Sequence, residues 1–442
     1  MGSTCGLAII AVCVACSACA ATDRYGGWDG VKGDATGHFH AQHVEGRWWI
    51  IDPDGNAFIS KGVCHVSWTA DQVPATRRMP YHEAVVKRYG NEAAWASAIV
   101  ERLRGWGFNT IGAWSSASTW RQDMPYTVIL GIGARAGGSW LQGTFPDVFS
   151  DDFRKVAEAT ARESCEARAD DPYVLGYFTD NELRWSADWR SRRLLFDDFI
   201  ALPADAPGKR AVVDFLAGRS DGDIGRFNAA WGQNAGSFDD LLEVKQLAPE
   251  TTDTVLRGEK DAFLRLVAEQ YFRVCREAIL KFDPHHMVLG CRFAGYAPEP
   301  VLAGCKDHVD IVSFNNYDAD APSRRLSEIY VATGRPVMIT EFSFKAMDSG
   351  LPNTKGAGRP VPTQKDRADA FERYVHGLMA APFVVGYHWF EHADEPKEGR
   401  FDGENSNYGL VNINDEPWDV LTQRMTQVNG LIYELANEAS GR

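Results

Sequence analysis

Two glutamates, Glu182 in "VLGYFTDNE" and Glu341 in "PVMITE", each close a run too apolar to be a solvent-facing strand. An acid placed there is carried out of a core, so neither reads as a surface charge. Paired carboxylates suit the cleavage of a glycosidic bond. One carboxyl, its pKa raised by its surroundings, protonates the departing oxygen while the other attacks the anomeric carbon; retaining enzymes hold the two about 5 to 5.5 Å apart. Asp180 and Asn181 precede Glu182, and Arg184 and Trp185 follow it. Asp and Asn are also common turn residues, so the same stretch reads as a surface turn if no core stands behind it. Strict strand alternation puts Asp180 and Glu182 on one face and Asn181 on the other. A bulge or twist at the strand end would bring Asn181 round to Glu182 and leave Asp180 a supporting role.

Carboxylates so far apart in the chain need a scaffold that gathers strand ends. Short apolar runs recur at 58–63, 108–112, 127–133, 174–179, 287–293, 311–315, 337–341 and 384–389, separated by amphipathic stretches such as "SDDFRKVAEATARESCEARA", where Ser150 is a fitting N-cap. Eight strands alternating with helices predict an α/β fold, a (β/α)8 TIM barrel over residues 58–435, with functional side chains at the C-terminal strand ends. Glu182 ends the fourth run and Glu341 the seventh. Residues 183–284 are too many for one crossover and carry helical patterns near 190–202, 209–218 and 259–281. They predict a helical insertion between strands 4 and 5 that shapes the cleft. Before the barrel, 21–57 predict an N-terminal segment with a β-hairpin turning at Pro53-Asp54-Gly55.

The same positional filter selects further candidates. Trp389, at the end of the eighth run, fits a platform for the apolar face of a sugar, with a core residue as the alternative; Trp114 and Trp185 are weaker versions of the same idea. His65 and His388, at or near strand ends one and eight, could bind sugar hydroxyls as neutral imidazoles or serve as supporting histidines. Arg292, at the end of the fifth run, could contact substrate or hold a carboxylate ionised. Asn405, in "DGENSNYGLVN", reads equally as a sugar contact and as a turn residue. No pair among Cys64, Cys165, Cys275, Cys291 and Cys305 has metal spacing, and His285-His286 has no partner at such a distance.

Asn-Glu after the fourth run, Glu after the seventh and Trp after the eighth resemble the pattern of glycoside hydrolase clan A, retaining enzymes on (β/α)8 barrels. The resemblance implies that Glu182 is the general acid/base and Glu341 the nucleophile. It implies further that Asn181 hydrogen-bonds the hydroxyl beside the anomeric carbon and that Tyr317, in "FNNY", orients Glu341; Asn316 beside it joins the substrate-binding candidates. "ITEFSFKAMDSGLPNT", "TQKDRADAFERYV" and "GYHWFEHADEPKEGRFDGENSNYGLVN" narrow the likeness to β-agarases of glycoside hydrolase family 50. It is closest over 174–182 and 335–430. Those enzymes usually carry a sizeable N-terminal β-rich domain, where this chain offers the short segment 21–57. The implied activity is a secreted retaining β-glycoside hydrolase acting on a polysaccharide or oligosaccharide of agar or galactan type, a chemistry that needs no cofactor. A non-catalytic carbohydrate-binding protein on the same scaffold is the alternative.

Composition agrees with an enzyme-sized globule: 45% of residues are hydrophobic and 24% charged. The net charge of −14 argues against nucleic acid as a partner, because phosphate binding needs a basic face. "GIGARAGG" hints at a dinucleotide fingerprint, but the third glycine falls late, which favours a plain loop after the third strand. Residues 1–20 are apolar and end in Ala18-Cys19-Ala20, the pattern of a cleaved export signal, so the protein is expected to be secreted or periplasmic without a membrane span. Lipid attachment at Cys19 is the alternative. The remaining cysteines, Cys64, Cys165, Cys275, Cys291 and Cys305, are odd in number and scattered, as buried thiols would be.

Overall fold

The computed structural model describes residues 22–247 and 254–439; the expected leader and Cys19 lie outside the described residues. The chain opens with β1 (Trp28–Lys32), β2 (His40–Val44), β3 (Arg47–Ile51) and β4 (Asn56–Phe58), an antiparallel sheet in the order β1-β4-β3-β2. The expected hairpin joins β3 to β4, with Gly55 at φ 88°, a left-handed angle that glycine adopts at no steric cost. This sheet is fastened to the rest of the molecule by Arg47. Its fully buried guanidinium donates to the carbonyls of Met379 (3.0 Å), Val384 (3.0 Å) and Ala436 (3.3 Å).

The main sheet comprises β5 (Ser60–Val63), β6 (Thr110–Ile111), β7 (Tyr126–Ile129), β8 (Val174–Phe178), β9 (Met287–Val288), β10 (Phe293–Ala294), β11 (Val312–Asn315), β12 (Val337–Phe342) and β15 (Val384–Trp389). A short ladder of β13 (Lys345–Ala346) and β14 (Pro360–Val361) lies outside it. The nine strands run in the order β10-β11-β12-β15-β5-β6-β7-β8-β9, every pairing parallel. Its two outer strands belong to one short segment. The fifth expected run, 287–293, is therefore not one strand but two pieces. Gly290 (φ 79°) and Arg292 (φ 49°) interrupt it with left-handed backbone, one half pairing with β8 and the other with β11. The sheet so curls round on itself in the manner of a TIM barrel. Sequence also placed Phe58 in the first run of this sheet, whereas Phe58 belongs to β4 and β5 starts at Ser60.

Helices separate most strands, as parallel crossovers require. Ser150 caps the helix Asp151–Cys165, its hydroxyl accepting the Phe153 N–H. Between β8 and β9 lie helices Leu195–Ile200, Pro207–Arg219, Ile224–Trp231 and Thr254–Phe282; the sequence pattern had missed the third. The last buries Phe263, Val267, Tyr271, Val274 and Ala278, a spacing of three and four that puts them on one face. The Tyr271 hydroxyl from that face lies within hydrogen-bond distance of Thr179 Oγ1 just past β8 (2.9 Å). The five cysteines are free and buried, as scattered thiols in strands and helices should be.

Packing inside the curl leaves no room at Gly62 in β5: a Cβ there would stand 2.3 Å from the ring of the fully buried His388. Gly62→Ala is expected to destabilise the protein by about 1–3 kcal/mol through overpacking. Gly218→Ala supplies a control, since a Cβ at this glycine inside the helix Pro207–Arg219 meets nothing and its backbone is not left-handed. Denaturant unfolding of both variants decides it; a Gly62→Ala no less stable than Gly218→Ala would refute the packing.

Candidate active site

Strand β8 ends at Phe178, and the next four residues sort into two directions. Asp180 turns back into the protein. Its buried carboxylate accepts the N–H groups of Gly133 (2.6 Å) and Ala134 (3.1 Å) and the Tyr271 hydroxyl (2.6 Å), and burial pushes its pKa up to about 6. Those two N–H groups belong to the short helix Ile132–Arg135 inside "GIGARAGG". That helix start is thus occupied by the protein's own carboxylate, and the motif is a structural loop, not a phosphate cradle. Glu182 has a left-handed backbone (φ 51°) and hangs its N–H on the carbonyls of Cys291 and Arg292, each at 3.2 Å. This turn breaks the alternation of the strand and lets Asn181 and Glu182 share one set of partners.

Those partners come from the segment that closes the sheet. Arg292 is completely buried; it donates to Asn181 Oδ1 (2.9 Å) and the Thr340 carbonyl (2.8 Å) and forms an ion pair with Glu341 Oε1 (2.8 Å). Asn315, the last residue of β11, donates to Glu182 Oε1 (2.9 Å) and Asn181 Oδ1 (3.2 Å). The other oxygen of Glu341 accepts the Tyr317 hydroxyl (2.9 Å), and the other oxygen of Glu182 accepts the Trp140 indole N–H (2.9 Å). One hydrogen-bonded network therefore runs from Glu182 through Asn315, Asn181 and Arg292 to Glu341 and Tyr317.

The two carboxylates have different surroundings. Glu341 lies against a buried cation. Glu182 takes its side-chain hydrogen bonds from neutral donors, and its pKa is raised, first by burial and then by the negative charge of Glu341. Tyr317 is pushed well above the ordinary phenol range by burial and by the same charge, so it stays a donor to Glu341.

Other expected residues divide. Trp114 is on the mouth, 42% exposed, with the Arg292 guanidinium 5.7 Å from its ring centroid. His65 sits two residues past β5 and pairs through Nδ1 with Glu391, not with either central acid. Trp389 is corrected from a sugar platform to a core residue. It is fully buried among Phe342, Phe344 and Phe371, the Arg367 guanidinium lies over its ring, and its indole N–H is spent on the Tyr408 carbonyl, so no ring face is open. Trp185 is likewise core, stacked on Phe272 and edged by Phe145 and Tyr271. His388 is sealed inside beside Ser60 (2.8 Å), and burial drives its pKa down to about 3, aided by Arg292. Asn316 points to structure: its side chain holds Asp318 (2.9 Å) and accepts from Tyr374 (2.7 Å). Asn405 pins a turn by accepting from Thr354 and Lys355 backbone N–H groups. His285 and His286 are also structural, His286 bonding Asp283 and the Asp171 carbonyl.

Sequence reasoning missed Asn315 and Trp140. "FNNY" offered two asparagines, and alternation at a strand end could not say which one faces inward. Trp140 lies in a loop, where no period exists to read.

The chain resembles β-agarases of glycoside hydrolase family 50 in sequence and in fold. It is 29% identical over 456 aligned positions to β-agarase A of Vibrio sp. (strain JT0107), covering 88% of this chain and 45% of that protein. To β-agarase B of the same organism it is 28% identical over 483 positions, covering 93% of this chain and 50% of that protein. The chain thus spans about half the length of these curated relatives. The crystal structure of an agarase, AgWH50C, superimposes with a TM-score of 0.83 at 27% identity, over 94% of this chain and 68% of that one. An exo-β-agarase structure matches in fold with a TM-score of 0.84 at 23% identity, over the same shares of the two chains. No protein-family model matches the chain.

Because Arg292 is buried against Glu341, removing its charge strands a carboxylate. Arg292→Met is expected to cost about 3–5 kcal/mol in denaturant unfolding, against about 1 kcal/mol for Tyr317→Phe, which removes one hydrogen bond. Equal losses in the two variants would contradict the central place of the arginine.

Proposed function

We propose that the protein is a retaining β-glycoside hydrolase in which Glu341 is the nucleophile and Glu182 the general acid/base, on one (β/α)8 barrel spanning 58–435 with 183–284 as a helical insertion at its rim. The observation that carries the reading is the unequal environment of the two acids within one network. Glu341, ion-paired with Arg292 and oriented by Tyr317, is suited to attack the anomeric carbon. Glu182, with neutral donors and a raised pKa, is suited to keep its proton until the glycosidic oxygen needs it. Asn181, its carbonyl oxygen engaged by Arg292 and Asn315, has its amide N–H groups left for the hydroxyl beside the anomeric carbon. Trp114 takes over the platform role intended for Trp389.

In the first half of the reaction the Glu341 carboxylate forms a bond to the anomeric carbon as the bond to the departing oxygen breaks, and Glu182 gives that oxygen its proton. In the second half Glu182, now ionised, takes a proton from water, which displaces Glu341 and releases the sugar with its original configuration. The β-agarases the chain resembles support an agar or galactan substrate. The apolar leader at 1–20 supports action outside the cytoplasm.

Glu182→Gln is expected to lower kcat on agar oligosaccharides by about 10²- to 10⁴-fold, and Glu341→Gln to leave no measurable turnover; full activity in both would end the reading. The pH profile supplies an independent check. A general acid must be protonated, so activity falls as pH rises through its pKa. Trp140 hydrogen-bonds the charged form of Glu182 and lowers that pKa, so Trp140→Phe is expected to move the alkaline limb of kcat/KM to higher pH. A shift to lower pH, or none, would contradict the assignment of Glu182.

A further inference from the structure

A second polar centre stands at the mouth, unused by the two-carboxylate chemistry. Glu391, two residues past β15, is completely buried. Its Oε2 is in hydrogen-bond contact with His65 Nδ1, while its Oε1 has no hydrogen-bond partner. His65 has a left-handed backbone (φ 54°), and its side chain is 17% exposed. The pair is therefore reachable through the imidazole. A buried carboxylate oxygen without a donor is costly, and native structures keep few of them, so one beside a cleft points to a donor that arrives with a ligand.

The kind of donor follows from the charges around it. Asp71 brings a third potential ligand atom within 4.8 Å of those of His65 and Glu391, a set that at first reads as a cation site. Two observations oppose that. The His65 nitrogen is already engaged by Glu391, and the guanidinium of Arg400 acts on both residues of the pair. Arg400 is itself held by Glu395 (3.2 Å), Asp402 (3.1 Å) and Glu404 (2.6 Å), a fixed positive charge that an incoming cation would have to face. A neutral hydroxyl meets no such barrier: it gives its hydrogen to Oε1 and accepts from nothing it must displace.

Position decides which sugar is read. β15 pairs with β12, and just past it the Phe390 N–H bonds the Phe342 carbonyl (3.0 Å), which puts Glu391 beside the strand that carries Glu341. Glu182 follows β8, separated from β15 by β5, β6 and β7. In the proposed mechanism Glu182 stands over the departing oxygen, so the ring bonded to Glu341 extends away from it, toward Glu391.

We propose that Glu391 and His65 form a hydroxyl-reading site for the sugar whose anomeric carbon is attacked, Glu391 Oε1 accepting one of its hydroxyl hydrogens. The proposal rests on the glycosidase reading above. The test compares an aryl β-galactoside with its 2-, 3-, 4- and 6-deoxy analogues on the wild type and on Glu391→Gln. On the parent substrate Glu391→Gln is expected to lower kcat/KM by about 100-fold or more, as sites built for a hydroxyl do when the pairing is lost. On the one analogue that lacks the hydroxyl read by Glu391, wild type and variant are expected to agree within about threefold. The same factor lost on all five substrates would overturn the proposal in favour of a purely structural role. A gain in wild-type activity or thermal stability with Mn2+, Zn2+ or Ca2+ that Glu391→Gln abolishes would overturn it in favour of a cation site. Should Glu391→Gln not fold by circular dichroism, His65→Asn, at the more accessible partner, is expected to give the same one-analogue pattern, and an even loss there overturns the proposal equally. A wild type inactive on every galactoside and on agar oligosaccharides alike would instead bring down the glycosidase reading beneath it.

Discussion

The Arg292 guanidinium holds the site together. A buried cation is tolerated only where enough acceptors surround it, and here Asn181, the Thr340 carbonyl and Glu341 fill that role. Those acceptors sit at the ends of two strands that lie far apart in the sheet order, β8 and β12. The arginine can reach both because the segment between β9 and β10 abandons strand geometry at Gly290 and Arg292. The break that closes the curl of the sheet and the residue that joins the two acids are thus one local feature.

The proposed division of labour between the acids draws on this arrangement without any further device. The same cation that compensates Glu341 is farther from Glu182, whose nearest partners are an indole and an amide. At Glu182 burial outweighs the indole and amide donors, which by themselves favour the carboxylate, and its pKa rises; Glu341 lies against the guanidinium. A nearby negative charge on Glu341 then adds to the rise at Glu182. In the proposed mechanism two residues of one type are given opposite tasks by what stands beside them.

Much of this was legible in the chain. Apolar runs of strand length that end in acids single out Glu182 and Glu341 as candidates, because a buried parallel strand admits a charge only where it ends. Arg292 was legible for the same reason. The failures share a cause as well. Trp389, Trp185 and His388 were chosen for position near strand ends, yet position along a strand does not say which face a side chain takes, and large aromatic rings are what a curled sheet uses to fill its interior. Asn316 lost to Asn315 by one residue of register, which moves a side chain to the other face. Asp180 reads from the sequence as a supporting residue, with nothing to say what it supports: it satisfies the N–H groups of a neighbouring helix start. Trp140 lies in a loop and Glu391 past a strand end, where no periodicity gives warning. The third helix of the 183–284 stretch, Ile224–Trp231, is short, and its pattern has too few turns to stand out.

The central claim is that the two glutamates act on one sugar ring at the separation required for double displacement. Stereochemistry reports this directly, because attack by Glu341 and then by water inverts the anomeric centre twice. Proton NMR of the first minutes of agar oligosaccharide hydrolysis, before mutarotation mixes the anomers, is predicted to show the β-anomer of the new reducing end. Initial appearance of the α-anomer would mean a single displacement by water, and would contradict the role given to Glu341.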